Sequence, residues 1–382
     1  MGRAWPILIL LGFCQLCASW GSLAIVAVQV EMRTGLAITT EDIAALVWAF
    51  SFSIAVGAVA AQVLIGHWDR RAVLFTSLAV LACGGVGLGL AQSWEQAMIA
   101  RVVMALGAAS VLPTASVIAS SLVTEEQRPA ALSVVFAGLT GSLVVALPIS
   151  SAVADSFGWR AAWFVAGGAA AVAALGVLIG VPGGVRGTRA SLGQMLAVLA
   201  NRTTALTIAT TLLLVGGGFL TYSMVAFWYV EVGGMPRSTL TLALLISGIA
   251  SMMGNAVSSW MVRTMGREGA ILGGLAFTAL CFMILWATPH VYVLSGPAFV
   301  LFGVGWALCL APLQARLIES AGPRAQLALA LNATAFFGGQ GLGAAIGGTV
   351  YDQFGPATLP IASVAVLIVA TTVFFVSKPK AQ

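Results

Sequence analysis

Apolar runs long enough to cross a bilayer, each broken by charges, Pro or Gly, fall at about 6–30, 43–66, 72–91, 97–120, 132–154 and 161–181. A second set falls at about 204–230, 239–262, 270–287, 291–313, 327–351 and 359–377. Twelve helical spans are therefore predicted. Between the sets lies the longest polar, Gly-rich interruption of the chain, from Pro182 to Thr203. The expected architecture is an all-α membrane protein with an N-terminal six-helix bundle over 1–181, a linker over 182–203 and a C-terminal six-helix bundle over 204–382.

Composition excludes soluble domains. A soluble surface needs roughly a quarter of its residues charged, whereas this chain is 60% hydrophobic and 8% charged. The net charge of +5 is read as topology and not as a nucleic-acid footprint, because no basic cluster exceeds two adjacent residues. Thirteen Lys and Arg side chains, among them Arg70, Arg71, Arg128, Arg202, Arg263, Arg316 and Lys378, fall on one side of the spans, and only Arg33, Arg160 and Arg237 on the other. Both termini and the linker are thus expected in the cytoplasm, with Glu31, Glu41, Asp42, Glu95, Asp155, Glu231 and Asp352 outside. All five cysteines lie in apolar stretches, so the Cys14/Cys17 pair is not read as a redox or zinc motif. The first apolar run lacks a small-residue cleavage pattern and is read as a span and not as a signal peptide.

The two sets resemble one another at an offset near 200 residues. Val30-Glu31 matches Val230-Glu231, and Pro113 matches Pro312. Gly-His-Trp-Asp-Arg-Arg (66–71) falls on Arg-Thr-Met-Gly-Arg-Glu (263–268), and Asp155-Ser-Phe-Gly158 on Asp352-Gln-Phe-Gly355. Four matches in register make an internal repeat, and two tandem six-helix halves imply pseudo-symmetric bundles with a substrate path near the membrane midplane.

Three segments carry a resemblance to a known family. Ala146-Leu-Pro148-Ile-Ser-Ser151 followed by Phe157-Gly-Trp-Arg160 is similar to an antiporter motif in the fifth span. Arg101-Val-Val-Met-Ala-Leu-Gly107 in the fourth span and Asn332 with Gly338-Gly-Gln-Gly-Leu-Gly343 in the eleventh complete it. On these residues the chain resembles the major facilitator superfamily, within it the twelve-span drug:proton antiporter and arabinose-efflux-permease-like group. The resemblance implies the major facilitator fold, proton-coupled efflux, a bacterial cytoplasmic (inner) membrane and a monomer. It implies gating by the loop after the second span, through Asp69, Arg70 and Arg71, and by Pro148. It also puts the small residues of the second, fifth, eighth and eleventh spans at a seam between halves. The chain departs from the family pattern where Gly66 replaces an Asp and Asp69 stands three residues away. Met104 and Ala105 replace a Gln and a Gly, and the first span has no acid at its middle, which weighs against cationic substrates.

Arg101 is the one ionisable side chain well inside a span. A charge at mid-bilayer costs about 2.5–3.5 kcal/mol on insertion scales, so it either anchors an anionic substrate group or changes partners with proton movement, unless it only bonds helix carbonyls. Gln15, Ser19, Ser22 and Gln29 share about 80° of arc on the first span, a polar stripe that lines a wet cavity or bonds a neighbouring helix. Thr211, Tyr222, Asn255, Trp306, Asn332 and Gln340 are the further pathway candidates. Coupling falls to Glu31 and Glu231 as the nearest carboxylates, since the span interiors hold no Asp, Glu, His or Lys. Trp5, Trp94, Trp159, Trp163 and Trp228 are expected as interfacial anchors.

The function expected is secondary active transport of small organic molecules, neutral or anionic, with no cofactor, no metal and no enzymatic step. An uptake permease or uniporter for an organic anion is the alternative. An intramembrane enzyme or sensor is the remote one, as HExxH, GxSxG and nucleotide-loop motifs are lacking.

Overall fold

Hydrocarbon offers no water to backbone N–H and C=O groups, so a spanning segment must satisfy them within itself, and a helix does so. The computed structural model describes residues 4–186 and 191–377, the side chains of Pro129, Leu192, Arg237, Ser238, Asn255 and Gln326 excepted. Backbone contacts divide the chain into two compact units: Met1–Ile38 with Ala49–Ala190, and Thr39–Trp48 with Ser191–Gln382.

The first unit contains α1 (Trp5–Leu36), most of α2 (Thr40–Leu64), α3 (Arg70–Leu90), α4 (Trp94–Ala108), α5 (Val111–Ser121), α6 (Arg128–Phe157) and α7 (Trp159–Gly180). The second contains the start of α2, then α8 (Leu192–Leu196), α9 (Arg202–Tyr222), α10 (Val225–Phe227), α11 (Arg237–Ala287), α12 (Tyr292–Ala321), α13 (Ala325–Phe354) and α14 (Leu359–Val376). Beyond α10 the chain forms one π-helical turn, Trp228–Val232.

Among the described residues, 10 helical stretches are long and apolar enough to cross a membrane. One of them, Thr239–Ala287, runs 49 residues and leaves helical geometry at Gly266, whose φ of 73° and ψ of 171° a side chain would strain. Helix α13, 30 residues long, falls outside the ten because Asn332, Gln340 and its glycines lower its hydropathy.

Within each unit the packing follows the same plan. Helix α1 packs on α6 and α7, and α3 on α4 and α7; correspondingly α9 packs on α13 and α14, and α11 on α12 and α14. Glycines allow the closest approaches, and they do so inside each unit. A Cβ at Gly138 would collide with the Gly12 carbonyl, and one at Gly343 with the Gly216 carbonyl. Gly57 faces Leu106 and Ala109, and Gly254 faces Val304 and Ala307. These small residues serve close packing of helices within a unit. The repeated Asp-x-Phe-Gly segments share a backbone too: Gly158 (φ 84°, ψ 160°) and Gly355 (φ 82°, ψ 163°) each end one helix and begin the next.

The turn between α2 and α3 has a specific local chemistry. Asp69 is the N-cap of α3, its carboxylate accepting from the N–H groups of Arg71 (2.9 Å) and Ala72 (3.3 Å). The same carboxylate accepts from Gly184 N–H. Arg70 N–H donates to Val185 O at 2.8 Å, Asp69 forms an antiparallel bridge with Arg186, and the Arg71 guanidinium donates to Leu178 O in the last turn of α7. The start of the linker is therefore fastened to the first unit through Asp69 and the Arg70 N–H. In the second unit a different chemistry secures the corresponding helix end. Arg316 pairs with Glu268 at 3.1 Å and donates to Ser377 O (2.9 Å) and Oγ (3.0 Å) at the end of α14. In repeat register Glu268 stands where the first unit has Arg71.

Burial alone would raise the Asp69 pKa, but the Gly184, Ala72 and Arg71 N–H groups and the Arg71 charge outweigh it and hold the carboxyl below its ordinary 3.8. A depressed folded-state pKa means that this contribution is present above about pH 4 and is lost as pH falls below it. Asp69→Ala is expected to cost about 1 kcal/mol at neutral pH and to speed tryptic cleavage after Arg186, both read on protein in detergent. The difference from wild type should shrink in acid. Unchanged cleavage at neutral pH would show that the linker is held without Asp69.

Candidate functional site

Polar side chains inside spans need partners, and in the first unit most find them locally. Arg101 on α4 is 0% exposed. Its Nη1 donates to Gly21 O of α1 at 2.7 Å, and its guanidinium carbon lies 4.1 Å from the Phe50 ring centroid on α2 and 5.5 Å from that of Trp163 on α7. Four helices thus meet at one cation held by a carbonyl and two π faces. Met104, one turn on, fills the space beside Gly21 and Gly84, which explains how the chain does without the usual Gln there.

The helix α1 stripe is partly self-bonded. Gln15 Nε2 donates to Ser19 Oγ at 3.1 Å, both side chains being buried. Gln15 Oε1 is buried with no hydrogen-bond partner among the described residues. Ser22 is half-buried and Gln29 fully buried. Pro148 sits inside an unbroken α6, and two residues on, Ser150 Oγ accepts from Trp20 Nε1 at 2.8 Å, tying that motif to α1. Arg160, from the same motif, donates to Ala91 O at 3.1 Å and stacks on Trp159. It thereby satisfies the C-terminus of α3.

The second unit brings together a different set. On α13, Asn332, Phe336 and Gln340 follow at four-residue steps, so they share one stripe. Trp306 on α12 stacks on Phe336 (centroids 5.8 Å, planes 4° apart) and meets Phe219 of α9 edge-on at 5.7 Å. Phe219 in turn meets Tyr222 at 5.4 Å, and Tyr222 meets Phe302 at 5.7 Å. Asn332 Oδ1, Gln340 Oε1 and Trp306 Nε1 are buried with no hydrogen-bond partner among the described residues. Thr211, by contrast, donates to Thr207 O of its own helix at 3.3 Å. Asn255 lies outside the described residues.

The two carboxylates expected to couple differ in setting. Glu231, in the π-helical turn, accepts from Tyr351 Oη of α13; Glu31 is half-buried in the last turns of α1. Next to Tyr351, burial and the charge of Asp42 raise the Asp352 pKa against the lowering effect of a Glu41 N–H. Sequence reasoning missed the contacts made by Phe50, Trp163, Phe219 and Phe336. The stripe of Asn332, Phe336 and Gln340 is the one among these with a readable signal. Trp159, Trp163 and Trp228 are corrections to the anchor reading, for all three are buried; Trp163 gives its face to Arg101 and its Nε1 to Met32 Sδ.

Among the described residues no group of His, Cys, Asp and Glu is placed to hold a metal ion. Cys14, Cys17, Cys281 and Cys309 are buried free thiols, and Cys83 is exposed.

A family profile described as Major Facilitator Superfamily matches residues 9–326. The chain is 25% identical over 340 residues to the inner membrane transport protein YdhP of Escherichia coli (strain K12), covering 88% of this chain and 86% of that one. It is 25% identical over 365 residues to the purine ribonucleoside efflux pump NepI of Salmonella paratyphi B, covering 92% and 88%. Its fold is similar to that of a bacterial homologue of the human lysosomal transporter Spinster, crystallised inward-facing and unoccupied. That match has a TM-score of 0.76 at 14% identity, over 98% of this chain and 96% of the other.

Arg101→Lys keeps the charge and gives up the planar contact with Phe50. It is expected to lower stability by roughly 1–2 kcal/mol, measured by thermal unfolding of the detergent-solubilised protein. An unchanged midpoint would mean that charge alone holds the four helices.

Proposed function

The chain belongs to the Major Facilitator Superfamily, a family of small-molecule transporters, and on that premise we propose that it is a proton-coupled exporter of small uncharged or anionic organic molecules, working by alternating access. It is a multi-pass integral membrane protein and not an enzyme. We place it in a bacterial cytoplasmic membrane as a monomer of twelve spans with both termini inside. The bundles are 1–181 and 204–382, joined by the linker 182–203. At 1.5 Å per residue the 49-residue stretch Thr239–Ala287 is about 74 Å long, more than twice the hydrocarbon thickness. Reading its break at Gly266 as a turn between two crossings, and α13 as a further crossing, brings the count to twelve.

The observation that carries the reading is that the buried side-chain atoms without a hydrogen-bond partner among the described residues include four from the pathway candidates: Gln15 Oε1, Trp306 Nε1, Asn332 Oδ1 and Gln340 Oε1. Polar groups in such surroundings are costly unless something bonds them, and a translocated solute is the partner we assign. Ser19, Ser22, Thr211, Tyr222 and Asn255 belong to the same pathway in this reading. Asp69, Arg70, Arg71 and Pro148 govern its opening, and Arg101 responds to proton movement through Glu31 and Glu231. The efflux named for one relative supports outward transport, and the inner membrane named for another supports the location. The alternative, an uptake permease or uniporter for an organic anion, draws on Arg101 as an anion anchor.

The test is proton flux in everted vesicles holding a preset interior-acid gradient, challenged with anionic, neutral and cationic compounds. Dissipation by particular neutral or anionic compounds, abolished in Arg101→Ala, is expected. In the Glu31→Gln, Glu231→Gln double variant the pH dependence of transport should be lost. If well-inserted protein gives no proton response yet shows counterflow of organic anions, uniport replaces the exporter reading. If the double variant keeps its pH dependence, those two carboxylates are not the coupling groups.

A further inference from the structure

The aromatic and amide groups of the second unit define a particular chemistry. The segments 203–230, 293–315 and 325–351, which carry Phe219, Tyr222, Trp306, Asn332, Phe336 and Gln340, contain no Lys, Arg, His, Asp or Glu. These three segments therefore bring no fixed charge to the rings. Asn332 and Gln340 are 7% and 5% exposed, and each keeps one amide oxygen without a partner among the described residues. They stand about 12 Å apart along α13, one turn either side of Phe336. Trp306, stacked on Phe336, adds an unused N–H donor.

Resting on the transporter reading above, we propose that Trp306, Phe336, Asn332 and Gln340 form a subsite for a flat, uncharged nitrogen heterocycle that carries both donor and acceptor groups along its edge. The half-buried rings of Trp306 and Phe336 supply a π surface, and Tyr222 and Phe219 extend it. The two amides and the indole N–H read the edge. A ring lacking edge polar groups leaves the amides unsatisfied and is rejected. A flat anion loses its hydration with no cation to replace it.

Binding to purified protein in detergent tests this apart from transport, with inosine, adenosine and hypoxanthine as probes and arabinose and benzoate as controls. Saturable binding of the three heterocycles and none of the controls is expected. Asn332→Leu, Gln340→Leu and Trp306→Leu should each weaken inosine binding about tenfold, the equivalent of about 1.4 kcal/mol. The two amide variants should keep or raise the thermal midpoint, because replacing an unsatisfied buried amide by an apolar group removes a liability. The proposal falls if the heterocycles fail to bind folded wild-type protein, or if the leucine variants bind inosine as wild type does. It falls equally if the amide variants lose stability in step with binding, which would make the amides packing elements or partners of internal water. A silent vesicle assay with intact inosine binding would instead count against the coupling scheme and leave the subsite standing.

Discussion

Everything in this molecule answers to the lack of water in hydrocarbon: each polar group that enters a span must meet a partner carried by the protein itself. Helices meet the demand for backbone groups everywhere except at their first N–H groups, which Asp69 serves before α3, and at their last carbonyls. There the chain uses arginine. Arg160 donates to Ala91 O after α3, Arg71 to Leu178 O in the last turn of α7, and Arg316 to Ser377 O after α14. A guanidinium suits this work, since its several donors cap carbonyls while its charge opposes the negative end of the helix dipole. With so few charged residues in the chain, their concentration at helix ends shows where the solvation problem is hardest.

The internal repeat shows how one backbone plan tolerates different chemistry. Gly158 and Gly355 have nearly the same dihedral angles, because the turn they make admits little else. The helix-end fastenings are free to diverge. Where the first unit uses Arg71 directly on a carbonyl, the second has Glu268, and the cation is supplied from α12 by Arg316. Geometry is kept and the charge is relocated. Asp69 has a capping and linker-holding task in the same turn.

What the sequence made legible follows from the range of each interaction. Spans and the Asp-x-Phe-Gly repeat are local, set by composition and by one turn, and they were readable. The break at Gly266 was readable as a gap between apolar runs. Contacts across helices were not. Nothing in the sequence marks Gly21 as the carbonyl that receives Arg101, since every residue has a carbonyl. Gly138 and Gly254 were recognisable as sites of close approach, but which helix approaches depends on tertiary packing, and here it is α1 and α12 of the same unit. Trp163 and Trp228 look like interfacial anchors by position near span ends; only the fold shows them buried. Of the candidate site, the four-residue spacing of Asn332, Phe336 and Gln340 was available from the start, whereas the arrival of Trp306 and Phe219 from two other helices was not.

Arg101 and the α13 amides meet the cost of polarity in different ways. Arg101 carries the larger intrinsic cost, a charge in the span, yet its surroundings receive it: a carbonyl at 2.7 Å, one aromatic face at 4.1 Å and another at 5.5 Å. Being 0% exposed, it offers no open face to a solute, so its influence must pass through the four helices it joins. Asn332 and Gln340 carry no charge and a smaller cost, but theirs is unmet within the described residues. A group bonded to a carbonyl and aromatic faces of its own fold stabilises one arrangement of helices. A group left unsatisfied stabilises whatever arrangement and whatever solute supply the missing bond, and that difference separates a positioning charge from a recognition surface.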